Sequence, residues 1–206
     1  MIVIVDFGMG NLRSVEKALL RLNAKVKISS DLKVIERAEK LILPGVGNFV
    51  KGMEKLRSFH LIDLMNEKVL VQRVPVLGIC LGMQLFAKHS EEGNVDGLGW
   101  LDAQVVKFHF NKSEEEKKLK IPHMGWNNLQ LKRENPFFNQ ISEEDFFYFV
   151  HSYHVVCNDH SDILATTNYG IQFISSLQKN NLIGVQFHPE KSHLSGLQFL
   201  KNFIGV

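Results

Sequence analysis

The feature that most constrains this chain is Gly78-Ile79-Cys80-Leu81-Gly82, set between the apolar run Val74-Pro75-Val76-Leu77 and the segment Met83-Gln84-Leu85-Phe86-Ala87. A short apolar run closed by glycine reads as a buried strand, and the segment after it reads as a helix. The backbone must therefore turn sharply from strand to helix at Cys80. Glycines on both sides keep side chains clear of the turn and tolerate strained dihedrals. A thiol at that point feels unpaired N–H groups and the positive end of the helix dipole, which favour a thiolate and can hydrogen-bond an oxyanion. Taken alone, the pattern fits a structural cysteine beside packing glycines equally well.

Gly184-Val185-Gln186-Phe187-His188-Pro189-Glu190-Lys191-Ser192 runs a second apolar strand into a histidine. Proline biases His188 toward extended geometry, and residues two apart in extended chain share a side, so the Glu190 carboxylate can reach the imidazole. One ring nitrogen held by a carboxylate leaves the other for a nucleophile, as thiol acyl transfer requires. A surface turn explains His-Pro-Glu by itself but not its pairing with the cysteine elbow. A third segment, Leu41-Ile42-Leu43-Pro44-Gly45-Val46-Gly47-Asn48-Phe49, ends a strand in a glycine-rich bend. Its N–H groups, with that of Leu81, can form an oxyanion hole, each donor worth about 3 kcal/mol in the transition state. An ordinary strand-to-helix loop is the plainer reading of that bend.

In chain order, Pro44-Gly45-Val46-Gly47, Gly78-Ile79-Cys80-Leu81-Gly82-Met83-Gln84 and Gln186-Phe187-His188-Pro189-Glu190 resemble class I, triad-type glutamine amidotransferases. Four further blocks resemble the glutaminase subunits of imidazole glycerol phosphate synthases: Asp6-Phe7-Gly8-Met9-Gly10-Asn11-Leu12-Arg13-Ser14-Val15, Pro122-His123-Met124-Gly125-Trp126-Asn127, Tyr148-Phe149-Val150-His151-Ser152-Tyr153 and His188-Pro189-Glu190-Lys191-Ser192. The resemblance spans the whole chain. It implies a flavodoxin-like, doubly wound α/β fold, with a mixed and mostly parallel sheet carrying added antiparallel strands, in one domain over residues 1–206. It implies Cys80 as nucleophile, His188 as base and Glu190 as orienting acid, with Gly45, Val46, Gly47 and Leu81 around the oxyanion. Gln84, Ser152 and Tyr153 would hold the amino-acid end of L-glutamine. The partner implied is a cyclase (β/α)₈ barrel in a heterodimer, consuming the ammonia in histidine biosynthesis. Pro122, His123, Met124, Trp126, Tyr148 and Lys191 match the family's junction with it, although core packing accounts for Trp126 and Tyr148 equally well. No cofactor and no metal are implied. Trp100-Leu101-Asp102-Ala103, Asn111–Lys120 and His154 depart from the pattern and keep a second acceptor open, a paralogous system forming an amidine on a surface-polysaccharide sugar.

Composition narrows the class. The 206 residues, 45% hydrophobic and 22% charged, suit one domain with a substantial core. A formal charge of +2 with scattered cations gives no field for nucleic acid. Met1 runs straight into Ile2-Val3-Ile4-Val5 without a basic leader, and no apolar run approaches the ~20 residues of a membrane span, so a cytoplasmic protein is expected. Two cysteines imply no disulfide framework, and Cys157 reads as a small strand or loop residue.

Strands are expected at Ile2–Val5, Lys25–Ile28, Lys40–Leu43 and Val76–Ile79, alternating with helices; Asn11 caps one whose Val15, Ala18, Leu19 and Leu22 share a face. The second half reads as added, antiparallel strands at Ala103–Phe108, Phe146–Val150, Ile163–Thr167, Ile171–Leu177 and Leu182–Phe187, closed by a helix over Gly196–Phe203. Asn111–Lys120 reads as a solvated loop or short helix. A dinucleotide fingerprint fails because Arg13 stands where the third glycine of Gly8-Met9-Gly10 would fall, and no phosphate-binding Gly-Lys-Ser/Thr loop exists. Histidine pairs such as His151 with His154, or His188 with His193, lack a third ligand. Other functional classes remain, a thiol hydrolase acting on peptides or a binding module with a relic site; covalent capture by a glutamine mimic separates them.

Overall fold

The computed structural model describes residues 1–110 and 119–206. The strand and helix order is β1 (Ile2–Val5), α1 (Leu12–Arg21), β2 (Val26–Ser29), α2 (Leu32–Glu36), β3 (Lys40–Gly45), α3 (Phe49–Ser58) and α4 (Leu61–Asn66). Then follow β4 (Val76–Cys80), α5 (Leu81–Gln84), β5 (His89–Ser90), β6 (Val95–Asp96), β7 (Ala103–Lys107), β8 (His123–Asn128) and β9 (Gln130–Leu131). The chain ends with β10 (Phe146–His151), β11 (Tyr153–Cys157), β12 (Ile163–Tyr169), β13 (Ile171–Lys179), β14 (Leu182–Val185) and α6 (His193–Gly205).

The main sheet has eight strands in the order β2-β1-β3-β4-β14-β13-β12-β9. The first five run parallel, and β13, β12 and β9 continue antiparallel. Alternation along the buried strands sorts the core into two layers. Val3, Val5, Leu41 and Leu43 face α2, α3 and α4 through Ile35, Phe49, Met53 and Leu61. Ile2, Ile4, Ile42, Leu77 and Ile79 face α1 and α6 through Val15, Leu19, Phe199 and Leu200. The Asn11 side chain accepts the Ser14 N–H, fixing the start of α1.

The added strands differ from expectation in their pairing. The strands at Ala103 and Phe146 do not join the main sheet: β7 lies in a four-stranded sheet, β11-β7-β5-β6, and β10 pairs with β8 in a two-stranded ribbon. β14 stops at Val185 rather than Phe187, and the closing helix begins earlier, at His193. The charged segment Asn111–Lys120 lies, from 111 to 118, outside the described residues. Among the described residues no helix is long and apolar enough to cross a membrane.

Candidate active site

Cys80 ends the central strand β4 with φ 54° and ψ −109°, a conformation that L-residues avoid and that surrounding packing has to impose. The packing is explicit. A Cβ at Gly82 would lie 1.7 Å from the Leu43 carbonyl oxygen, and one at Gly78 would lie 2.7 Å from the Met83 nitrogen. Strand and following turn are therefore pressed together so closely that only glycine fits at either flank. The expected helix after the thiol is one turn, Leu81–Gln84, because the chain bends away at Leu85. A macrodipole from a full helix is accordingly absent, and the anion-stabilising contribution narrows to the N–H groups of the first turn, which lack intrahelical partners.

β3 delivers the second donor segment. Gly45 stands opposite Cys80 in the β3–β4 register, which sets the Val46-Gly47 bend beside the sulfur. Val46, Gly47, Cys80 and Leu81 line one wall of a cleft of about 270 Å³, and Val150, His151, Ser152 and Tyr153 line another, with Gln84, Glu92 and Pro122 completing it.

His188 arrives from the far end of the chain because β14 is the parallel neighbour of β4. Its backbone is extended, but Pro189–Lys191 forms one 3₁₀ turn, so Glu190 reaches the ring across a turn rather than along extended chain. Glu190 Oε1 lies 2.8 Å from His188 Nδ1, with both side chains sealed from solvent. The loop is stapled to the ribbon: the His188 N–H donates to Tyr148 O at 2.9 Å, and Ser192 Oγ both donates to His188 O and accepts from the Tyr148 N–H. Nε2 is buried and, among the described residues, has no hydrogen-bond partner. No formed bond joins it to the thiol, yet Cys80 is the chief influence holding a proton on the ring. Burial pulls the imidazolium down, and the charge of the nearby Cys80 sulfur, then the hydrogen bond and charge of Glu190, outweigh that to raise the His188 pKa to about 10. The three side chains can thus form an imidazolium–thiolate couple with its carboxylate.

Gln84, Ser152 and Tyr153 all line the cleft that holds Cys80. Gln84 is buried, and its Nε2 is already committed, donating to Tyr153 O at 2.9 Å and to Gln186 Oε1 at 3.0 Å. Only its Oε1 can serve a ligand. Ser152 and Tyr153 lie in the cleft wall. Two contributors escaped sequence reading. Glu92, in the polar stretch Ser90-Glu91-Glu92-Gly93, brings a carboxylate into the cleft, with one oxygen accepting the Phe49 N–H at 2.7 Å. Gln186, fully buried, donates through Nε2 to the Cys80 sulfur at 3.5 Å.

Of the junction residues, Met124 and Trp126 are 62% and 46% exposed on β8, facing the same way as the exposed Phe146 and half-buried Tyr148 of β10. Lys191 Nζ lies over the Tyr148 ring at 5.5 Å. Pro122 is exposed at the cleft mouth. His123 is the exception: strand alternation turns it inward, and it is 3% exposed, so it cannot meet a partner directly. A larger cavity, about 400 Å³, lies away from the sulfur beside β11, β12 and β13. Among the described residues no three His, Cys, Asp or Glu side chains are grouped to hold a metal ion.

Fold and cleft together define a thiol amidohydrolase built on a parallel sheet, and the class-I glutamine amidotransferase family model matches residues 3–205. The chain belongs to that family and is a glutamine-hydrolysing enzyme. It is 48% identical over 204 residues to the imidazole glycerol phosphate synthase subunit HisH 2 of Pseudomonas aeruginosa, covering 99% of this chain and 98% of the relative. Identity to HisH 2 of Methanococcus maripaludis is 47%, at 99% and 98% coverage, and to HisH 1 of Campylobacter jejuni RM1221 46%, at 99% and 99%. Two solved structures share the fold: a glutamine amidotransferase (TM-score 0.70, 21% identity, 100% of both chains) and PurLQS of Thermotoga maritima (TM-score 0.68, 17% identity, 99% of this chain and 97% of that one).

Proposed function

We propose that this chain is the glutaminase subunit of an imidazole glycerol phosphate synthase, in the cytoplasm, releasing ammonia from L-glutamine at Cys80 and passing it to a cyclase (β/α)₈-barrel partner for histidine biosynthesis. The observation that carries the chemistry is that β14, paired in parallel with β4, brings a His188 ring held by Glu190 at 2.8 Å to the strand end that carries the strained Cys80 elbow. The Cys80 thiolate attacks the side-chain amide carbon. The tetrahedral oxyanion is held by the Leu81 N–H and the Gly45–Gly47 bend, each donor worth about 3 kcal/mol. His188 gives its proton to the departing nitrogen, the C–N bond breaks, ammonia leaves, and a γ-glutamyl thioester remains. Water then attacks the thioester while His188 takes its proton; the C–S bond breaks, returning thiolate and glutamate. Glu190 keeps the imidazole in the tautomer both steps need. Glu92 offers the cleft a carboxylate for the substrate ammonium, and Gln84 Oε1 and the Ser152–Tyr153 segment frame the same end.

The partner reading rests on the ribbon. Met124, Trp126 and Phe146 form an exposed apolar row rimmed by Tyr148 and Lys191, and depletion of charge at the centre with aromatics is what interface cores show. Val150 of the same ribbon places its carbonyl 3.9 Å from the sulfur, so the row lies just outside the site of ammonia release. Affinity capture from the native host, followed by glutaminase assay of the recovered pair with and without the N-linked ribulosyl phosphate intermediate, tests this. Recovery of a cyclase barrel whose intermediate raises glutamine turnover is expected; support of turnover only by a sugar-modifying enzyme contradicts it. That second acceptor is kept because several relatives are numbered copies, HisH 1 or HisH 2.

A further inference from the structure

Two buried imidazoles outside the triad lie where the ribbon meets the cleft. His123 and His151 are direct cross-strand neighbours in β8 and β10, and both are buried. His151 Nδ1 lies 2.8 Å from the Tyr153 carbonyl oxygen, and its Nε2 lies 3.0 Å from His123 Nδ1. A carbonyl only accepts, so the His151 proton sits on Nδ1; in a neutral ring Nε2 then accepts, and His123 must donate through Nδ1. His123 Nε2 is left as an acceptor facing the Asn127 amide nitrogen at 3.5 Å, while that amide donates to Asn168 O at 2.9 Å. Burial lowers the His123 pKa to about 4 and that of His151 well below its ordinary value, so both rings are neutral and every bond has one direction.

The line does not stop at Tyr153. Its carbonyl also accepts from Gln84 Nε2, the same amide donates to Gln186 Oε1, and Gln186 Nε2 donates to the Cys80 sulfur. A continuous hydrogen-bonded path therefore runs from the ribbon that exposes Met124 and Trp126 to the nucleophile. The two imidazoles and the two side-chain amides are buried and the Tyr153 carbonyl between them is part-buried, so displacing one member leaves a buried ring or amide without its partner, which is costly.

We propose that His123 and His151 are positioning residues for glutamine hydrolysis, a cross-strand imidazole pair that fixes the Tyr153 carbonyl and, through the Gln84 and Gln186 amides, the sulfur of Cys80. The inference rests on the glutaminase reading of Cys80. Nothing in it requires either ring to touch substrate.

His123→Phe keeps a ring against Tyr169 and Phe149, whose centroids lie 4.0 and 4.9 Å away, but has no N–H to give His151. His123→Asn restores a donor close to the position of Nδ1, whereas His123→Gln places it near Nε2 and misses. The readout is saturation kinetics of Cys80 alkylation by a glutamine-mimicking chloroketone, separating affinity from inactivation rate, beside melting temperature. The unsubstituted chain is the reference: its own labelling reads the triad, and the ratio of variant to reference reads the pair. The inactivation rate should fall about tenfold in the Phe and Gln variants with affinity within about twofold, and recover to within about threefold in the Asn variant. Where Phe prevents folding, the Asn and Gln variants make the same comparison. Equal rates for Asn and Gln, or rates that follow melting temperature alone, overturn the proposal.

Discussion

Cys80 and Cys157 are both strand residues, both free thiols, and 6% and 5% exposed. Around Cys157, burial first and then the charges of Asp162 and Asp159 push the thiol up to about 12, and its backbone is ordinary strand. It stays a neutral sulfur beside the cavity of about 400 Å³. Around Cys80 the chain is forced into a strained elbow, the Gln186 amide donates to the sulfur at 3.5 Å, and an imidazole arrives with its own carboxylate. Cavity size and burial do not tell the two apart; the neighbours that stabilise an anion do.

The sharpest way to break that contrast is Cys80→Ala. Glutamine-dependent turnover should fall at least ~10⁴-fold, with ammonia-dependent activity of the partner retained. Substantial residual glutaminase would show that another group attacks the amide. Glu190→Gln comes next. Steady-state assays across pH should show kcat lower by about a hundredfold and, because Glu190 helps raise the His188 pKa, an alkaline limb moved to lower pH. A limb that stays in place would separate the carboxylate from the ring's protonation. Gly82→Ala forces a Cβ onto the Leu43 carbonyl and should destabilise the fold by about 2–3 kcal/mol in denaturant titration. At the small end, Cys157→Ser should leave kcat within about twofold.

Much of this was legible in the sequence, for reasons that can be located. β1, β3 and β4 are buried on both faces, so they read as unbroken apolar runs, and the glycines around Cys80 and the Pro189 beside His188 mark the places where backbone direction changes. The antiparallel half was less legible. β8, with His123, Gly125, Asn127 and Asn128 among its residues, has little strand character of its own and is held by pairing with β10. That pairing also decides that His123 points inward while Met124 points out. Glu92 had no local signal, since a carboxylate in a polar loop reads as solvated until β5 and α3 bring it into the cleft. Gln186 lay within the recognised motif, but its bond to the sulfur depends on β4 and β14 being neighbours.

The reaction path is most directly tested by acid-quenching the enzyme during glutamine turnover and mapping the covalent adduct by peptide mass. A hydroxylamine-labile γ-glutamyl group on the peptide containing Cys80, and none on that containing Cys157, is the expected result. Turnover with no adduct at Cys80, or an adduct at Cys157, would contradict it.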